Sequence, residues 1–322
     1  MVARYRIICD NDYAGDPDGL FQLAHHLLSP SVDVRLVIAS HLAAGDPFDP
    51  SGHSAAHGCQ LAHDVLDLLG RRDQVPVRPG SERPLTDRHT PQPSPASEAI
   101  ITEAMRTDTD LPLFATFGGG LTELASAYLQ EPRIAERLTA VWIGGPEYPD
   151  LATPPPGASH PEYNLAIDPI AARVVFDSPI PLWHVPRDCY RQALASMAEL
   201  RAHVGSAGPL GAYLYRKLCD VPHLLGTDRL GETYVLGDNP LVLLTALQSA
   251  FQPDPSSSRY VVRPAPRIND DGSYTPRTDS RPIRVYTHVD VRLMLADLYA
   301  KLAAAANHPG GRFGGGQPHA PM

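Results

Sequence analysis

The chain has 322 residues, of which 43% are apolar and 20% are charged, and it carries a formal net charge of -9. This acidic balance excludes a surface built to neutralise the phosphates of a nucleic-acid polymer. The length predicts one large α/β domain or two ordinary ones, with a sizeable buried core.

Along the chain, apolar runs rich in Ile, Val and Leu alternate with longer segments of helical period. This alternation predicts the α/β class, with a single open, mainly parallel and Rossmann-like central sheet flanked by helices. The predicted strands are 4–9, 33–40, 111–116, 137–145 and 180–185. The predicted helices are 18–28, 52–69, 95–106, 120–130, 168–176, 191–204, 239–251 and 288–304.

We expect one domain, residues 1–305, followed by a tail. Residues 281–302 predict a strand and an amphipathic helix that close this domain. Prolines in residues 149–164 deny hydrogen bonds to both helix and strand, so a loop is expected there. Residues 306–322 have the glycine-rich composition of a disordered C-terminal tail.

The cysteines Cys9, Cys59, Cys189 and Cys219 are far apart and form no CxxC pair. This spacing favours reduced thiols over a disulfide framework or a zinc ribbon. The apolar N-terminal run is too short for a signal peptide, and no stretch approaches the roughly 18 residues that span a bilayer. We therefore expect a soluble cytoplasmic protein with no membrane partner.

The segment "IICDNDYAGDPDG", residues 7–19, places a cluster of aspartates directly after the first predicted strand. Ligands of open parallel sheets bind at the carboxyl ends of the strands, so this loop is a candidate site. Neighbouring carboxylates repel one another unless a cation offsets their charge. One aspartate suffices to cap the following helix, whereas Ca²⁺ or Mg²⁺ requires several oxygen ligands. The loop therefore predicts a site for one of these ions.

Four segments, spread in order over about 240 residues, resemble one known family. Asp10-Asn11-Asp12, Gly15 and Asp16-Pro17-Asp18 are similar to a DxDxGxDD signature with one residue inserted. The segments "GGGLTELASAYLQEPRIAERLTAVWIGG" (118–145), "PEYNLAIDPIAARVVFDSPIPLWHVP" (161–186) and "GDNPLVLLTAL" (237–247) are similar to three further motifs. These are a GxLTNxA segment that runs into an MGG strand, an EFN…DPxAA…VF segment and an HDPxA helix start. Together they resemble nucleoside hydrolases of the inosine-uridine-preferring type.

The resemblance implies calcium-dependent hydrolysis of the N-glycosidic bond of a ribonucleoside or related N-riboside, releasing free base and ribose. The implied ligands of Ca²⁺, or alternatively of Mg²⁺, are the carboxylates of Asp12, Asp18 and Asp238 and the backbone carbonyl of Thr122. Asp12 would also act as the general base, and Asp10 would support the loop from behind the site. The implied ribose-binding residues are Asp16, Glu162, Asn164 and Asp238. A homo-oligomer, dimer or tetramer, is implied as well.

The chain departs from the family pattern at the position of the leaving-group acid. Purine-cleaving members have a histidine directly before the late aspartate, where this chain has Gly237. His41 and His160 fall in predicted site-facing loops and are the preferred replacement acids, with a surface or core histidine as the alternative for each. Asparagines of the family pattern are replaced by Ser40 or His41 after the second strand and by Glu123 in the LTN triplet.

Other residues with known chemical roles favour simpler interpretations. His53 and His57 lie four apart on a predicted helix, but zinc needs at least a third ligand and Cys59 lies on another face. Trp142 and Trp183 fall within predicted strands and are expected to be packing residues.

Two other functions are kept as alternatives. A strand followed by DxD also opens haloacid dehalogenase-like phosphatases, which usually have a lysine on a later loop. Neither Lys217 nor Lys301 lies in a candidate site loop. The second alternative is a non-catalytic, metal-dependent nucleoside- or sugar-binding protein that kept the acidic pocket and lost the leaving-group acid.

Overall fold

The computed structural model describes residues 2–227, 230–249 and 257–307. Its strands are β1 (Tyr5–Asn11), β2 (Val32–Ala39), β3 (Val77–Pro79), β4 (Leu113–Phe117), β5 (Leu138–Ile143), β6 (Leu182–Val185), β7 (Leu194–Ser196), β8 (Thr233–Val235), β9 (Arg259–Pro264), β10 (Arg267–Ile268), β11 (Tyr274–Thr275) and β12 (Pro282–His288). Its α-helices are α1 (Asp18–Leu27), α2 (Ser54–Leu68), α3 (Pro95–Ala104), α4 (Thr122–Gln130), α5 (Tyr163–Ile167), α6 (Pro169–Asp177), α7 (Arg187–Tyr190), α8 (Met197–Glu199), α9 (Gly208–Leu224), α10 (Pro240–Thr245) and α11 (Val291–Asn307).

The main sheet has the strand order β3-β2-β1-β4-β5-β6-β12-β9. Its strand pairs are parallel except for β12 with the edge strand β9. The prediction of an open, mainly parallel sheet flanked by helices is therefore confirmed. The strand order reverses at β1, which pairs with β2 on one side and with β4 on the other. In such sheets the ligand crevice lies at the carboxyl ends of the strands beside this reversal.

Alternation along β1 defines the two faces of the sheet. Ile7 and Cys9 belong to a hydrophobic cluster with apolar residues of α1, α2, α9, α10 and α11. Ile8 belongs to a second cluster, with apolar residues of α3, α4 and α6. Because successive side chains of a strand point to opposite faces, Asp10 and Asn11 at the end of β1 also face opposite sides.

The segment predicted as one helix over 191–204 is different in the structure. It contains β7, α8 and part of a π-helical turn (Leu200–Gly205). Along β7, Leu194 is exposed and Ala195 is buried, and the strand pairs antiparallel with β8. The helix prediction was wrong because pairing with this distant strand overrides the local helical period.

Two predicted boundaries near the C-terminus also differ. The predicted helix 239–251 corresponds to α10, which ends at Thr245, and its last two positions lie outside the described residues. The final helix continues to Asn307, so the first two residues of the predicted tail are helical. Residues 308–322 of that tail lie outside the described residues. Within the described ranges, none of the helices combines the length and apolarity required to cross a membrane.

Candidate active site

An acidic cavity of about 340 Å³ lies at the carboxyl end of the sheet. Its lining includes the carboxylates of Asp12, Asp16, Asp18, Glu162 and Asp238. These residues come from the β1–α1 connection, the segment before α5 and the segment before α10. The structure thus brings together carboxylates that are far apart in the sequence. Aromatic and apolar side chains contribute the other walls.

Asn11 connects the first strand to the late aspartate. Its Nδ2 donates to Asp238 Oδ2 at 2.8 Å and to Gln22 Oε1 at 3.5 Å. A Cβ on Gly118 would lie 2.3 Å from Asn11 Nδ2 and 2.7 Å from Asp238 Oδ2. The loop after β4 can therefore pass this close only because residue 118 has no side chain.

The turn after β1 places three carboxylates at the cavity. Gly15 N–H donates to the Asp12 carbonyl at 2.7 Å, which closes the turn before α1. Asp16 Oδ1 accepts hydrogen bonds from the Tyr234 hydroxyl at 2.6 Å and from the Asp18 N–H at 3.3 Å. The Asp238 N–H donates to Asp18 Oδ2 at 3.2 Å, which joins the two acidic segments.

The aspartates of the cavity are destabilised as anions. Burial raises the pKa of Asp12 well above its usual range, and the charge of Asp238 is the next cause. Burial, followed by the charge of Asp238, also raises the pKa of Asp18. The pKa of Asp238 itself is raised to about 7, mainly by burial. Such a group of buried like charges requires protons or a cation to offset it.

Glu162 is fixed by hydrogen bonds on both of its oxygens. Oε2 accepts from the Gly145 N–H at 2.6 Å and from the Leu165 N–H at 3.1 Å. Oε1 accepts from the Tyr190 hydroxyl at 2.8 Å. Because each carboxylate oxygen accepts more than one bond, this held carboxylate can still bind a sugar hydroxyl.

Asn164 is oriented by the backbone around it. Its Nδ2 donates to the Gly118 carbonyl at 3.1 Å and to the Ile143 carbonyl at 2.9 Å. Both amide hydrogens are therefore used within the protein. The side-chain oxygen then serves as an acceptor for a ligand hydroxyl.

Three predicted site residues do not line the cavity. Thr122 is the first residue of α4 and its hydroxyl donates to Asp168 Oδ2 at 2.7 Å, whereas Gly118 lines the cavity. His41 lines a separate cavity of about 380 Å³, and its Nδ1 is 3.0 Å from a backbone carbonyl. His160 is exposed. The loop after β2 contributes Phe48 to the acidic cavity, whereas His41 of the same loop lines the other one. The roles predicted for Thr122, His41 and His160 therefore gain no support.

Asp10 lies behind the cavity and is 1% exposed. Burial raises its pKa, and the charge of Glu123 raises it further. Glu123 accepts hydrogen bonds from the Ser81 N–H at 2.7 Å and from the Ser94 hydroxyl. The pKa of Glu123 is raised to about 7, mainly by burial. Both acids thus face the sheet side away from Asn11, as the alternation along β1 requires.

Four residues lie in or beside the candidate site although their sequence context predicted no role for them. Gly118, Tyr190 and Arg191 line the cavity, and Asn11 binds Asp238. Alternation along β1 could have indicated the orientation of Asn11, because it places that side chain on the same face of the sheet as Cys9. The glycine run at 118–120 carried a weaker signal, that of close backbone approach. No local pattern marked Tyr190 or Arg191, because they reach the cavity through the packing of α7.

The donors at the cavity suit a hard dication. They are carboxylate oxygens and the backbone at Gly118, and the lining includes no Cys or His among the described residues. Asp12 Oδ2 lacks a hydrogen-bond partner within the described part of the chain. In the same part, no group of three or more His, Cys, Asp or Glu side chains forms a preassembled metal site. A cation here would therefore require further oxygen ligands from substrate or water.

The alternative metal residues lie elsewhere. His57 Nδ1 is 2.6 Å from Asp49 Oδ2 in an exposed pair near the start of α2.

A cavity of about 620 Å³ beside β9 is larger than the acidic one, but its charged residues are paired. Arg263 binds Asp150 at 2.9 Å, and Arg277 binds Asp177. The acidic cavity is therefore the candidate active site.

His184 supports the Glu162 side of the cavity from within the core. Its Nε2 is 2.6 Å from the Gly144 carbonyl and its Nδ1 is 3.0 Å from the Tyr148 hydroxyl. These partners assign a neutral ring that donates through Nε2 and accepts through Nδ1. Gly144 precedes Gly145, whose N–H binds Glu162. Burial lowers the pKa of His184 to about 4.

We expect His184 to make the protein less stable in acid. An unfolded histidine binds a proton near pH 6.5, whereas folded His184 binds one only near pH 4, so the free energy of unfolding falls through this window. The full difference is roughly 3 kcal/mol. Urea unfolding of wild type and His184→Gln at several pH values measures it. Parallel pH profiles for the two proteins would contradict this expectation.

Comparison with known proteins identifies the family. Residues 7–293 match the sequence model of the inosine-uridine preferring nucleoside hydrolases. An uncharacterized protein of Schizosaccharomyces pombe is 26% identical over 231 residues, covering 64% of this chain and 70% of that protein. The inosine-uridine preferring nucleoside hydrolase of Crithidia fasciculata is 40% identical over 79 residues, covering 24% of each chain.

Solved structures share the fold at low sequence identity. A plant nucleoside hydrolase superposes with a TM-score of 0.71 at 20% identity. A purine-preferring ribonucleoside hydrolase from Gardnerella vaginalis superposes with a TM-score of 0.70 at 21% identity. Each comparison covers 94% of this chain and 99% of the other chain. The match over nearly the whole chain shows that this protein belongs to the inosine-uridine preferring nucleoside hydrolase family, whose members are hydrolases that act on N-glycosyl compounds.

Proposed function

We propose that the protein is a calcium-dependent N-ribohydrolase that cleaves a ribonucleoside or related N-riboside into free base and ribose. The observation that carries this proposal is the acidic cavity, in which carboxylates of three segments meet Asn164. Its volume of about 340 Å³ is suited to a small molecule. The family match supports an N-glycosyl substrate.

The cation would be held by Asp12, Asp18, Asp238 and the carbonyl of Gly118. Gly118 replaces Thr122 in this proposal because Gly118 lines the cavity and Thr122 does not. When bound, the cation would supply a water of lowered pKa and a positive charge among the carboxylates. We propose Ca²⁺ over Mg²⁺ because Ca²⁺ accepts a larger and less regular set of oxygen ligands.

The protein side chains would perform the remaining chemistry. Asp12 would take a proton from the attacking water, since its Oδ2 is free of hydrogen bonds within the described residues. The side chains proposed to bind the ribose hydroxyls are Asp16, Glu162, Asn164 and Asp238. The negative charge of the three carboxylates among them would stabilise the positive charge that develops on the ribosyl ring.

The proposal is tested by chromatography of free base released from a panel of ribonucleosides. We expect release from at least one nucleoside, loss of release in excess EGTA, and recovery when Ca²⁺ is added back. Recovery with Mg²⁺ but not with Ca²⁺ would refute the choice of ion. Tight nucleoside binding by calorimetry with no base released would instead identify a non-catalytic binding protein.

A phosphatase activity is less well supported by the site. Neither Lys217 nor Lys301 lines the acidic cavity. Lys301 instead pairs with Asp297 and donates to Ser29 at 2.8 Å. Measurement of phosphate release from nucleotides under the same conditions provides the control for this alternative.

A further inference from the structure

We propose that Arg191 offsets the negative charge of the departing base. This inference rests on the proposed N-ribohydrolase function and adds a group that acts on the leaving side of the bond. Arg191 directly follows α7 and lines the acidic cavity. It is the one cation lining that cavity among the described residues.

The depth of the cavity orients a riboside within it. Asp12, Glu162 and Asp238 are 4%, 1% and 3% exposed, so the carboxylates that suit a sugar lie at the closed end. Leu225 is 41% exposed and Arg191 is exposed as well, so these two residues lie at the mouth. A ribose held by the carboxylates therefore directs its base toward the mouth, where Arg191 lies.

The other polar donors of the cavity region are already engaged. The Tyr163 hydroxyl donates to Asp46 Oδ2 at 2.7 Å, and the Tyr190 hydroxyl donates to Glu162. Both hydrogens of the Asn164 amide bind backbone carbonyls. A leaving base would have to break one of these bonds to receive a proton from these groups. Neither His41 nor His160 lines the cavity to supply one instead.

Arg191 differs from these donors because its guanidinium makes no hydrogen bond or ion pair among the described residues. Its charge helps to lower the pKa of Glu147, which is paired with Arg187. Arg187, four residues earlier, is instead buried and bound to both carboxylate oxygens of Glu147, at 2.7 and 2.6 Å. Tyr190, which precedes Arg191, also lines the cavity. A Cβ on Gly237 would lie 3.3 Å from Tyr190 Cδ2, so this ring packs against the glycine.

The charge of Arg191 fits the balance of the reaction. The bond between C1′ and the base nitrogen breaks, and its electron pair stays on the base. The water oxygen bonds to C1′ and gives one proton to Asp12, while the base later takes a proton from solvent at the mouth. Arg191 stays protonated throughout, so it acts by charge and hydrogen bonding and not as a proton donor.

The test compares two kinds of substrate whose leaving groups differ in how much their negative charge must be stabilised. Inosine and uridine lose a basic nitrogen anion, whereas p-nitrophenyl riboside loses a phenolate that is stable in water. We expect Arg191→Gln to lower kcat/KM about a hundredfold for the nucleosides and about threefold or less for p-nitrophenyl riboside. Arg191→Lys should recover part of the loss, because it keeps the charge without the planar fork.

Arg137→Gln is the matched control. Arg137 is exposed directly before β5, at the amino-terminal end of that strand, whereas the cavity lies at the carboxyl end of the sheet. Its loss should therefore leave kcat/KM unchanged for both substrates. The loss in Arg191→Gln should also be equal between about pH 5 and 9, because a guanidinium does not titrate there. Equal losses on both substrates, or full nucleoside activity in Arg191→Gln, would overturn the role of Arg191. Wild-type protein that cleaves neither substrate would overturn the proposed function itself.

Discussion

Asp12→Asn is expected to lower kcat roughly a thousandfold, because the substitution removes the group that takes a proton from water. Asparagine keeps the size of the side chain but cannot accept that proton. In calcium-free buffer the variant should be at least as stable as wild type. The reason is that Asp12 is buried beside other carboxylates, and its removal relieves their repulsion. Steady-state kinetics and thermal melting measure the two effects.

Added Ca²⁺ separates this role from a merely structural one. Wild type should melt at a higher temperature with Ca²⁺, because a ligand that binds only the folded state stabilises it. Asp12→Asn should lose most of this shift. Asp150→Asn is the control, since Asp150 forms an exposed pair with Arg263 beside the other cavity. Unchanged turnover in Asp12→Asn, or an equal calcium shift in all three proteins, would refute the assignment of Asp12.

The main sheet could be predicted because its signal is local. Ile7, Ile8 and Cys9 are fully buried, and a central parallel strand covered on both faces appears in the sequence as a continuous apolar run. The segment at 191–204 could not be predicted in this way. Its structure depends on the pairing of β7 with β8, and the residues of the segment itself give no indication of that pairing.

The site was predictable to the extent that acidic residues follow strands. Asp12, Asp16 and Asp18 follow β1 directly, so their convergence required only the parallel sheet. The sequence could not show whether Thr122 or Gly118 lies at the cavity, because both belong to one short segment. The position at which α4 starts decides this, and Gly118 is the one that lines the cavity.

Residues at the mouth of the cavity were beyond sequence reasoning for another reason. Arg191 becomes a cavity residue only through the position of α7, and the loop after β2 brings Phe48 to the acidic cavity while His41 lines a different one. Both outcomes depend on the paths that the loops take at the carboxyl ends of the strands. Loop paths are set by tertiary packing and leave little trace in the local pattern of residues.

Gly118→Ala is expected to lower kcat/KM at least about a hundredfold, because the added methyl group would displace both Asn11 and Asp238. Its Cβ would lie 2.3 Å from Asn11 Nδ2 and 2.7 Å from Asp238 Oδ2. These side chains are 0% and 3% exposed, so neither can rotate into solvent to make room. Overpacking of this kind also costs about 1–3 kcal/mol of stability. Kinetics and urea unfolding measure the two losses.

Alanine substitutions at two other glycines extend the comparison to a smaller steric clash and to none. A Cβ on Gly119 would lie 3.1 Å from Asp12 Cγ, so a small shift suffices, while a Cβ on Gly231 would meet no atom within 4 Å. The loss of activity should therefore rank Gly118→Ala above Gly119→Ala, with Gly231→Ala unchanged. If Gly118→Ala loses stability but keeps kcat/KM, the contact of Asn11 with Asp238 matters only for folding. The rank order thus tests whether the loop after β4 sets the positions of the carboxylates that the chemistry requires.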